Sequence, residues 1–530
     1  MILFKKHWGG VTFLSACFIF ITFSLWFGRG VRGSDQYWYV SDLILGQVTG
    51  RPRSNAIYPS ALTSSLFGPE SLPPPIHSVP ATYLANYLNY LVQDAYLSWL
   101  FLNLFLAIAS SILVYKIAVI YTNSNLALFA GALFLVSPQN LWLTLNPLME
   151  QSVIFATLLV IYGSVTNDRK DFHFGLMIVG TAILVASRPN YLLIVVGVLG
   201  VLYLHRQKVR FSALRAAVYL LSSGALAYAL GYLFSHYPTH GIRGALASNT
   251  SSVEPGVGNM GGFFSSPEFP SFAEILDKGL GNITSALLPS SVTDIILSFA
   301  SIFFLILGSF LLKRNEFNAP LIVWSLTLLG IFFSTVFFFQ FQNRYAATLV
   351  PLAIVVWVVL LHQRFLTNQH TRTGSQGKLL NAFSLILILF LVFASALIGM
   401  YYQASEQESQ ERIVFLSSEF KGEYGESIIF VTADIALQTE IGYSAIPSAV
   451  IFSLPKGGSD CINPDVIEAW NVQKVVVETS EEHSYGDEVF CESSQVSISW
   501  DRAITVPSNG SSAGRDQKLL VGWLNGNAHE

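Results

Sequence analysis

Charged residues are scarce in this chain of 530 residues, where Asp, Glu, Lys and Arg make up only 12% of the sequence. Soluble globular domains usually carry about 25%. Apolar residues take their place, since 52% of the chain is hydrophobic and the mean hydropathy is +0.51. The low charge content excludes a soluble globular protein and indicates an integral membrane protein.

Several chemical signatures are also missing. The sequence has no Walker-type glycine-rich loop and no His or Cys cluster at metal-ligand spacing, so it predicts neither a nucleotide site nor a metal site. No acidic residue falls in the middle of an apolar run, although proton-coupled transporters tend to carry ionisable groups there. This absence weakens a transporter interpretation.

Cysteine is rare, with three in the whole chain. Cys17 lies in the first apolar run, whereas Cys461 and Cys491 lie in the last quarter of the sequence. If that part of the chain faces an oxidising compartment, Cys461 and Cys491 are a plausible disulfide pair.

The apolar runs are long enough to cross a bilayer, which takes about 20 residues in a helix. The first covers residues 8–28. About ten more bring the expected number of transmembrane helices to about eleven, with centres in 97–120, 126–145, 149–165, 174–188, 190–204, 214–236, 292–312, 319–339, 345–361 and 379–400.

The charge distribution divides the chain and orients it. Residues 401–530 hold 20 acidic and 7 basic residues, a net charge of −13, and residues 1–400 hold the remaining 13 acids and 22 bases. A cytoplasmic N-terminus places basic groups such as Arg169-Lys170 and Lys313-Arg314 inside at every turn, as the positive-inside rule requires. An odd number of spans then places the acidic tail outside.

The acidic tail has a soluble pattern. Strands are predicted at 427–432, 448–454, 474–479 and 495–500, with helices at 403–420 and 464–471. We therefore expect two domains, a transmembrane domain at 1–400 and a small extracytoplasmic α/β domain at 401–530, in a multi-pass protein of the plasma membrane.

Nearly all acids of the membrane part fall outside or at outer helix ends. Chemistry there needs a substrate that is already activated on a lipid, because nucleotide-sugar donors are available only in the cytoplasm. Asp35, seven residues after the first apolar run, is placed where a lipid-borne and a water-soluble reactant can meet.

Four segments together resemble the GT-C superfamily of polytopic glycosyltransferases, which includes the protein O-mannosyltransferase and lipid A aminoarabinose transferase families. All lie at outer helix ends within about the first 360 residues. They are Ser34-Asp35-Gln36-Tyr37 in the first outside loop, Pro138-Gln139-Asn140-Leu141-Trp142 to Asn146-Pro147-Leu148-Met149-Glu150 in the second, Ser187-Arg188-Pro189, and Gln342-Asn343-Arg344-Tyr345 followed by Pro351.

The resemblance implies a GT-C arrangement of the transmembrane helices and transfer of a sugar, with inversion, from a polyprenyl-phosphate carrier to a glycan, lipid or protein acceptor of the cell envelope. Neither a cofactor nor a nucleic-acid partner is expected. Departure of a lipid phosphate as an anion requires cations, for which Arg344 and Arg188 are suited. The attacking hydroxyl requires one carboxylate, for which Asp35 is the candidate.

Besides the catalytic candidate Asp35, the candidates are substrate-binding residues, and most candidates have a simpler alternative. Asp35 could be a solvated loop residue or a helix cap. Asp42 could serve simply to solvate an interfacial helix. Glu150 could cap a helix N-terminus and Arg188 could be an interfacial anchor. Further candidates are Tyr345, which could pack against lipid or sugar, His77, which could be a surface histidine, and Gln342, the neighbour of the Arg344 motif.

One departure from the superfamily bears on metal use. Several GT-C families have two adjacent acids in the first loop, but Asp35 is followed by Gln36. This favours a metal-independent base; the reaction type allows a divalent metal, but no residue pattern here indicates one. Two other functions stay open: a lipid-linked glycan polymerase or ligase that relies on His77 and Arg243, and a non-enzymatic flippase of lipid-linked sugars.

Overall fold

The structure is a computed structural model of the whole chain. It describes residues 2–28, 40, 43, 56–57, 79–146, 149–166, 171–187, 189–204, 213–235, 272–287, 296, 299–338, 343–366, 375–420, 427–431, 437, 449–452, 472–479, 497–507 and 517–525. Of the expected elements, the helix at 464–471 lies outside these residues.

Helices dominate the first 420 residues. In chain order they are α1 (Ile2–Phe27), α2 (Val79–Val92), α3 (Ala95–Tyr121), α4 (Ser124–Leu135), α5 (Pro138–Leu145), α6 (Glu150–Thr166), α7 (Asp171–Ser187), α8 (Ile194–Leu204), α9 (Ala213–Ser235), α10 (Phe272–Leu287), α11 (Ala300–Leu311), α12 (Ala319–Phe338), α13 (Asn343–Ala347), α14 (Val350–Leu361) and α15 (Ser375–Glu419). A 3₁₀ turn, Pro189–Leu193, precedes α8.

Several helices have the length and composition of membrane spans. Within the described residues, Trp8–Phe27, Ala95–Tyr121 and Ala319–Phe337 qualify singly, and α4 and α5 qualify as one pair bent by 49°. Seven shorter apolar helices of 10–17 residues accompany them. The protein is therefore a multi-pass membrane protein, as expected, and the total of eleven spans stays a prediction.

Helix α3 lies at the centre of the helical part, where it packs against α2, α4, α5, α6 and α14. Its fully buried Trp99 belongs to the same apolar core as Trp324 of α12 and Phe129 and Phe134 of α4. Because these helices are apolar on most of their circumference, they can bury one side against each other and leave the other to lipid.

The run at 126–145 differs from expectation, because it forms two helices rather than one straight span. Pro138 lacks a backbone N–H and can only begin a helix, and Ser137 caps the new helix by accepting a hydrogen bond from Asn140 N at 3.3 Å. The Ser137 hydroxyl also donates to Phe134 O at 2.8 Å. The bend between α4 and α5 is therefore built from local sequence.

Five C-terminal strands, β2 to β6, and strand β1 (Ala56–Ile57) form a six-stranded sheet within the described residues, with the order β1-β3-β2-β4-β6-β5. Strands β2 (Ser427–Val431), β3 (Ala449–Phe452) and β4 (Val472–Thr479) are parallel, and β5 (Ser497–Val506) and β6 (Gln517–Asn525) add an antiparallel edge. The predicted strands overlap β2 to β5, although β5 continues six residues beyond the end predicted at residue 500, and β6 was not predicted.

The opposite edge strand comes from far away in the sequence. Strand β1 is Ala56–Ile57, in the first predicted outside loop, and it pairs in parallel with Ile451 and Phe452 of β3. The first loop thus supplies a strand to the C-terminal sheet, which the sequence did not predict.

Helix α15 joins the two parts of the chain without a break. The predicted last span at 379–400 and the predicted helix at 403–420 are one helix of 45 residues, which passes through the expected domain boundary at residue 400. The last turn of α15 contributes Leu416 to a second apolar core, together with Phe420, which follows the helix. This core also contains Ile428, Phe430 and Val476 of the sheet. Arg502 of β5 donates from Nη2 to the carbonyl of Glu419 at 3.0 Å, which satisfies one of the last helix carbonyls.

Candidate functional site

Glu150 begins α6 and is buried, with 1% of the residue exposed. An acidic side chain in the first turn is favoured by the positive end of the helix dipole. The turn is held by the carbonyl of Met149, which accepts hydrogen bonds from Ser152 N and Val153 N at 2.9 and 3.1 Å and from the Ser152 hydroxyl at 2.7 Å. The carboxylate is therefore fixed inside the protein rather than solvated in a loop.

Arg344, from the short helix α13, meets this carboxylate. Its Nε lies 3.4 Å from Glu150 Oε1, and the two side chains are 12% and 2% exposed, respectively. The guanidinium carbon also lies 5.4 Å from the centroid of the Tyr345 ring, within cation–π distance. Two of the substrate-binding candidates thus form an ion pair, and a third lies beside it.

Helix α5 connects the two halves of this pair. It contacts both α6, which carries Glu150, and α13, which carries Arg344. Its C-terminal carbonyls are satisfied from α3, where Asn103 Nδ2 donates to Asn146 O at 2.9 Å and the Tyr96 hydroxyl donates to Leu145 O at 2.8 Å. The position of α5 is thereby fixed from the side opposite the bend.

A buried amide network ties α5 to the first turn of α6. Gln151 Nε2 lies 2.8 Å from Asn140 Oδ1 and 3.0 Å from Thr144 Oγ1, and Asn140 Nδ2 donates to Leu135 O, at the end of α4, at 3.3 Å. Gln151, Asn140 and Thr144 are each 1% exposed or less. Asn140 belongs to one of the four segments that resemble the GT-C superfamily, but Gln151 and Thr144 were not predicted, although polar side chains inside an apolar run were a usable signal.

The other candidates lie outside the described residues. These are Asp35, Asp42, His77, Arg188 and Gln342, together with the predicted disulfide partners Cys461 and Cys491. Their assignments remain predictions from the sequence. In the described part of the chain, no group of three or more His, Cys, Asp or Glu could hold a metal ion.

No protein-family model matches the sequence, and no curated protein matches it. Solved structures do match its fold. ArnT from Cupriavidus metallidurans bound to undecaprenyl phosphate aligns over 98% of both chains with a TM-score of 0.58 and 10% identity, and the apo form aligns over the same shares with a TM-score of 0.54. The oligosaccharyltransferase from Archaeoglobus fulgidus, tethered with an acceptor peptide, aligns over 90% of this chain and 70% of its own, with a TM-score of 0.54 and 15% identity.

The matched proteins are membrane glycosyltransferases of the GT-C class. The chain has their fold, which confirms the expectation from the short motifs at the outer helix ends. The likeness to ArnT includes the C-terminal part, since it extends over 98% of the chain.

Proposed function

We propose that this protein is a glycosyltransferase that moves a sugar from a polyprenyl-phosphate carrier to an acceptor at the extracytoplasmic face of the membrane. The observation that carries the proposal is the alignment over nearly the full length with ArnT bound to undecaprenyl phosphate. The ion pair of the buried Glu150 with the partly buried Arg344 supports it, because an arginine fixed by a carboxylate is a preorganised ligand for a lipid phosphate.

In this mechanism an acceptor hydroxyl attacks the anomeric carbon while the bond from that carbon to the phosphate oxygen breaks, so the configuration inverts. Asp35 takes the hydroxyl proton as general base. The polyprenyl phosphate leaves as an anion, and Arg344 and Arg188 neutralise its charge. Glu150 holds Arg344 in place, and Tyr345 borders the sugar.

The remaining candidates complete the site. Asp42 and His77, from the first outside loop, and Gln342, two residues before Arg344, contact substrate. No resident cofactor is needed, because the phosphate leaving group is stabilised by arginine and the nucleophile by a carboxylate.

The membrane arrangement follows from the charge bias. We propose eleven spans in the plasma membrane, a cytoplasmic N-terminus and an extracytoplasmic domain from about residue 401 onward that is closed by a Cys461–Cys491 disulfide. The Lys and Arg residues of the short loops support this orientation, since groups such as Arg169-Lys170 and Lys313-Arg314 then face the cytoplasm.

Replacement of Asp35 by Asn tests the assignment of the base. We expect sugar transfer by the purified protein in liposomes to fall by about 10²–10⁴-fold, the usual contribution of a general base. Glu70→Gln is the matched control, because it removes a carboxylate from the same loop that has no assigned role, and it should retain the wild-type rate.

Near-normal transfer by correctly inserted Asp35→Asn protein would refute the role of Asp35. Dependence on lipid-diphosphate donors together with loss of activity in His77→Ala and Arg243→Ala would instead identify a glycan polymerase or ligase. Movement of the lipid-linked sugar between leaflets without transfer would identify a flippase.

A further inference from the structure

We propose that Gln151 is a positioning residue that aims Glu150 at Arg344 and thereby sets the affinity of the site for the donor's phosphate. This inference rests on the proposed function, because it assigns the ion pair to phosphate binding. It adds a residue with a role of its own, since Gln151 is fully buried and directly follows Glu150 in the first turn of α6.

The first step of the argument is the geometry of α6. Neighbouring residues on a helix point about 100° apart, so fixing one side chain fixes the direction of the next. Gln151 is held by α5 through Asn140 Oδ1 at 2.8 Å and Thr144 Oγ1 at 3.0 Å. These hydrogen bonds set the rotation of the first turn of α6 and therefore the direction of Glu150.

The second step is that the same helix, α5, also contacts α13. The positions of the Glu150 carboxylate and the Arg344 guanidinium consequently both depend on the position of α5. That helix is itself fixed at its start by Ser137 and Pro138 and at its end by Asn103 and Tyr96. A shift of Gln151 against α5 would change the distance between Glu150 Oε1 and Arg344 Nε, which is now 3.4 Å.

The third step separates this role from plain fold stabilisation. Gln151 Oε1 is buried and has no hydrogen-bond partner among the described residues. A buried acceptor of this kind costs free energy, so a glutamine is a poor choice if stability alone decides the residue. Its two amide hydrogens, by contrast, are fully used on α5.

The test uses the full-length protein in detergent micelles and undecaprenyl phosphate alone as the probe. Gln151→Met keeps the length of the side chain and removes both donors. We expect its dissociation constant for undecaprenyl phosphate to rise roughly 10- to 100-fold, because a misplacement of about 1 Å can weaken the function of a site by up to about 10²-fold. Transfer should show a higher KM for the donor with a smaller change in kcat.

A milder pair of variants covers the case in which Gln151→Met does not fold. Thr144→Val keeps the shape and removes the oxygen that Gln151 contacts, whereas Thr144→Ser retains it. We expect Thr144→Val to weaken undecaprenyl phosphate binding and Thr144→Ser to bind like the wild type. Ser164→Ala is the structural control, since it removes a buried hydrogen bond of α6, from Trp324 Nε1 at 2.9 Å, at the far end of the helix.

A double-mutant cycle isolates the action through Glu150. In a Glu150→Gln background, Gln151→Met should change binding less than twofold, because the group that it aims is already gone. Equal effects of Gln151→Met in both backgrounds, or a loss in Ser164→Ala as large as that in Thr144→Val, would overturn the role of Gln151. Wild-type protein that neither binds undecaprenyl phosphate nor transfers sugar would overturn the proposed function itself.

Discussion

Glu150, which is buried, and Arg344, which is partly buried, form an ion pair whose two members depend on each other. Removing two charges from water is costly, and their attraction offsets this cost only while both are present. A single replacement therefore leaves one buried charge uncompensated. Replacing one partner should therefore lower the free energy of unfolding more than replacing both.

Arg344→Met should lower the free energy of unfolding by about 3 kcal/mol, since it strands the Glu150 carboxylate at 2% exposure. The double variant Glu150→Gln/Arg344→Met should recover most of that loss. Denaturant unfolding in micelles measures both values. Equal destabilisation by the single and double variants would show that the two charges are not coupled.

At the scale of residues, the sequence predicted Glu150 and Arg344 as candidates but not the contact between them. Glu150 and Arg344 were each predicted as substrate-binding candidates, because both lie at an outer helix end in segments that resemble the GT-C superfamily. Their contact could not be predicted, since it depends on how α5 packs between α6 and α13. Gln151 was missed because amide side chains carry no charge and its network forms only after packing.

At the scale of elements, glycines allow α6 and α7 to approach closely. A Cβ added at Gly180 of α7 would lie 2.7 Å from the carbonyl oxygen of Ala156 in α6, and one added at Gly163 of α6 would lie 2.6 Å from the carbonyl oxygen of His173. Small residues at such crossings are typical of helix pairs in membranes. The contact is between backbones, so side-chain rotation cannot relieve a clash.

Gly180→Ala should therefore destabilise the protein by about 1–3 kcal/mol, as overpacking usually does. Gly175→Ala in the same helix is the matched control, because nothing lies within 4 Å of its added Cβ, and it should be neutral or slightly stabilising. Thermal unfolding in micelles compares them. Equal behaviour of the two variants would contradict close packing at Gly180.

The elements also differ in how well the sequence predicted them. Helices such as α3 and α12 and strands β2 to β5 lie close to their expected positions, because length and apolar pattern are local properties. The bend at Ser137 and Pro138 was missed because hydropathy continues through it. Strand β1 has two residues, Ala56 and Ile57, and no pattern of that length is informative.

At the scale of the whole molecule, the first loop and the C-terminal sheet are joined by β1. The segment that carries Asp35 and His77 is therefore linked by backbone hydrogen bonds to β3. Neither the charge split nor the domain boundary expected at residue 400 indicated such a link. The sheet consequently includes residues from both ends of the chain.

Cysteine cross-linking tests this pairing. Ala56→Cys combined with Ile451→Cys should form a disulfide under mild oxidation, because these residues are paired across the two strands. Ala56→Cys combined with Val450→Cys is the register control, since neighbouring strand residues point to opposite faces of a sheet. Peptide mass spectrometry detects the product. Equal cross-linking of both pairs would rule out the fixed register.

Helix α15 connects the C-terminal sheet to the bend between α4 and α5. Its 45 residues correspond to a rod about 70 Å long, anchored to the sheet at Glu419 by Arg502. Along its course, the Ser395 hydroxyl donates at 2.8 Å to the carbonyl of Val136, inside the bend between α4 and α5. Because α15 is one continuous helix between these two contacts, a displacement of the sheet would act directly on the bend from which α5 begins.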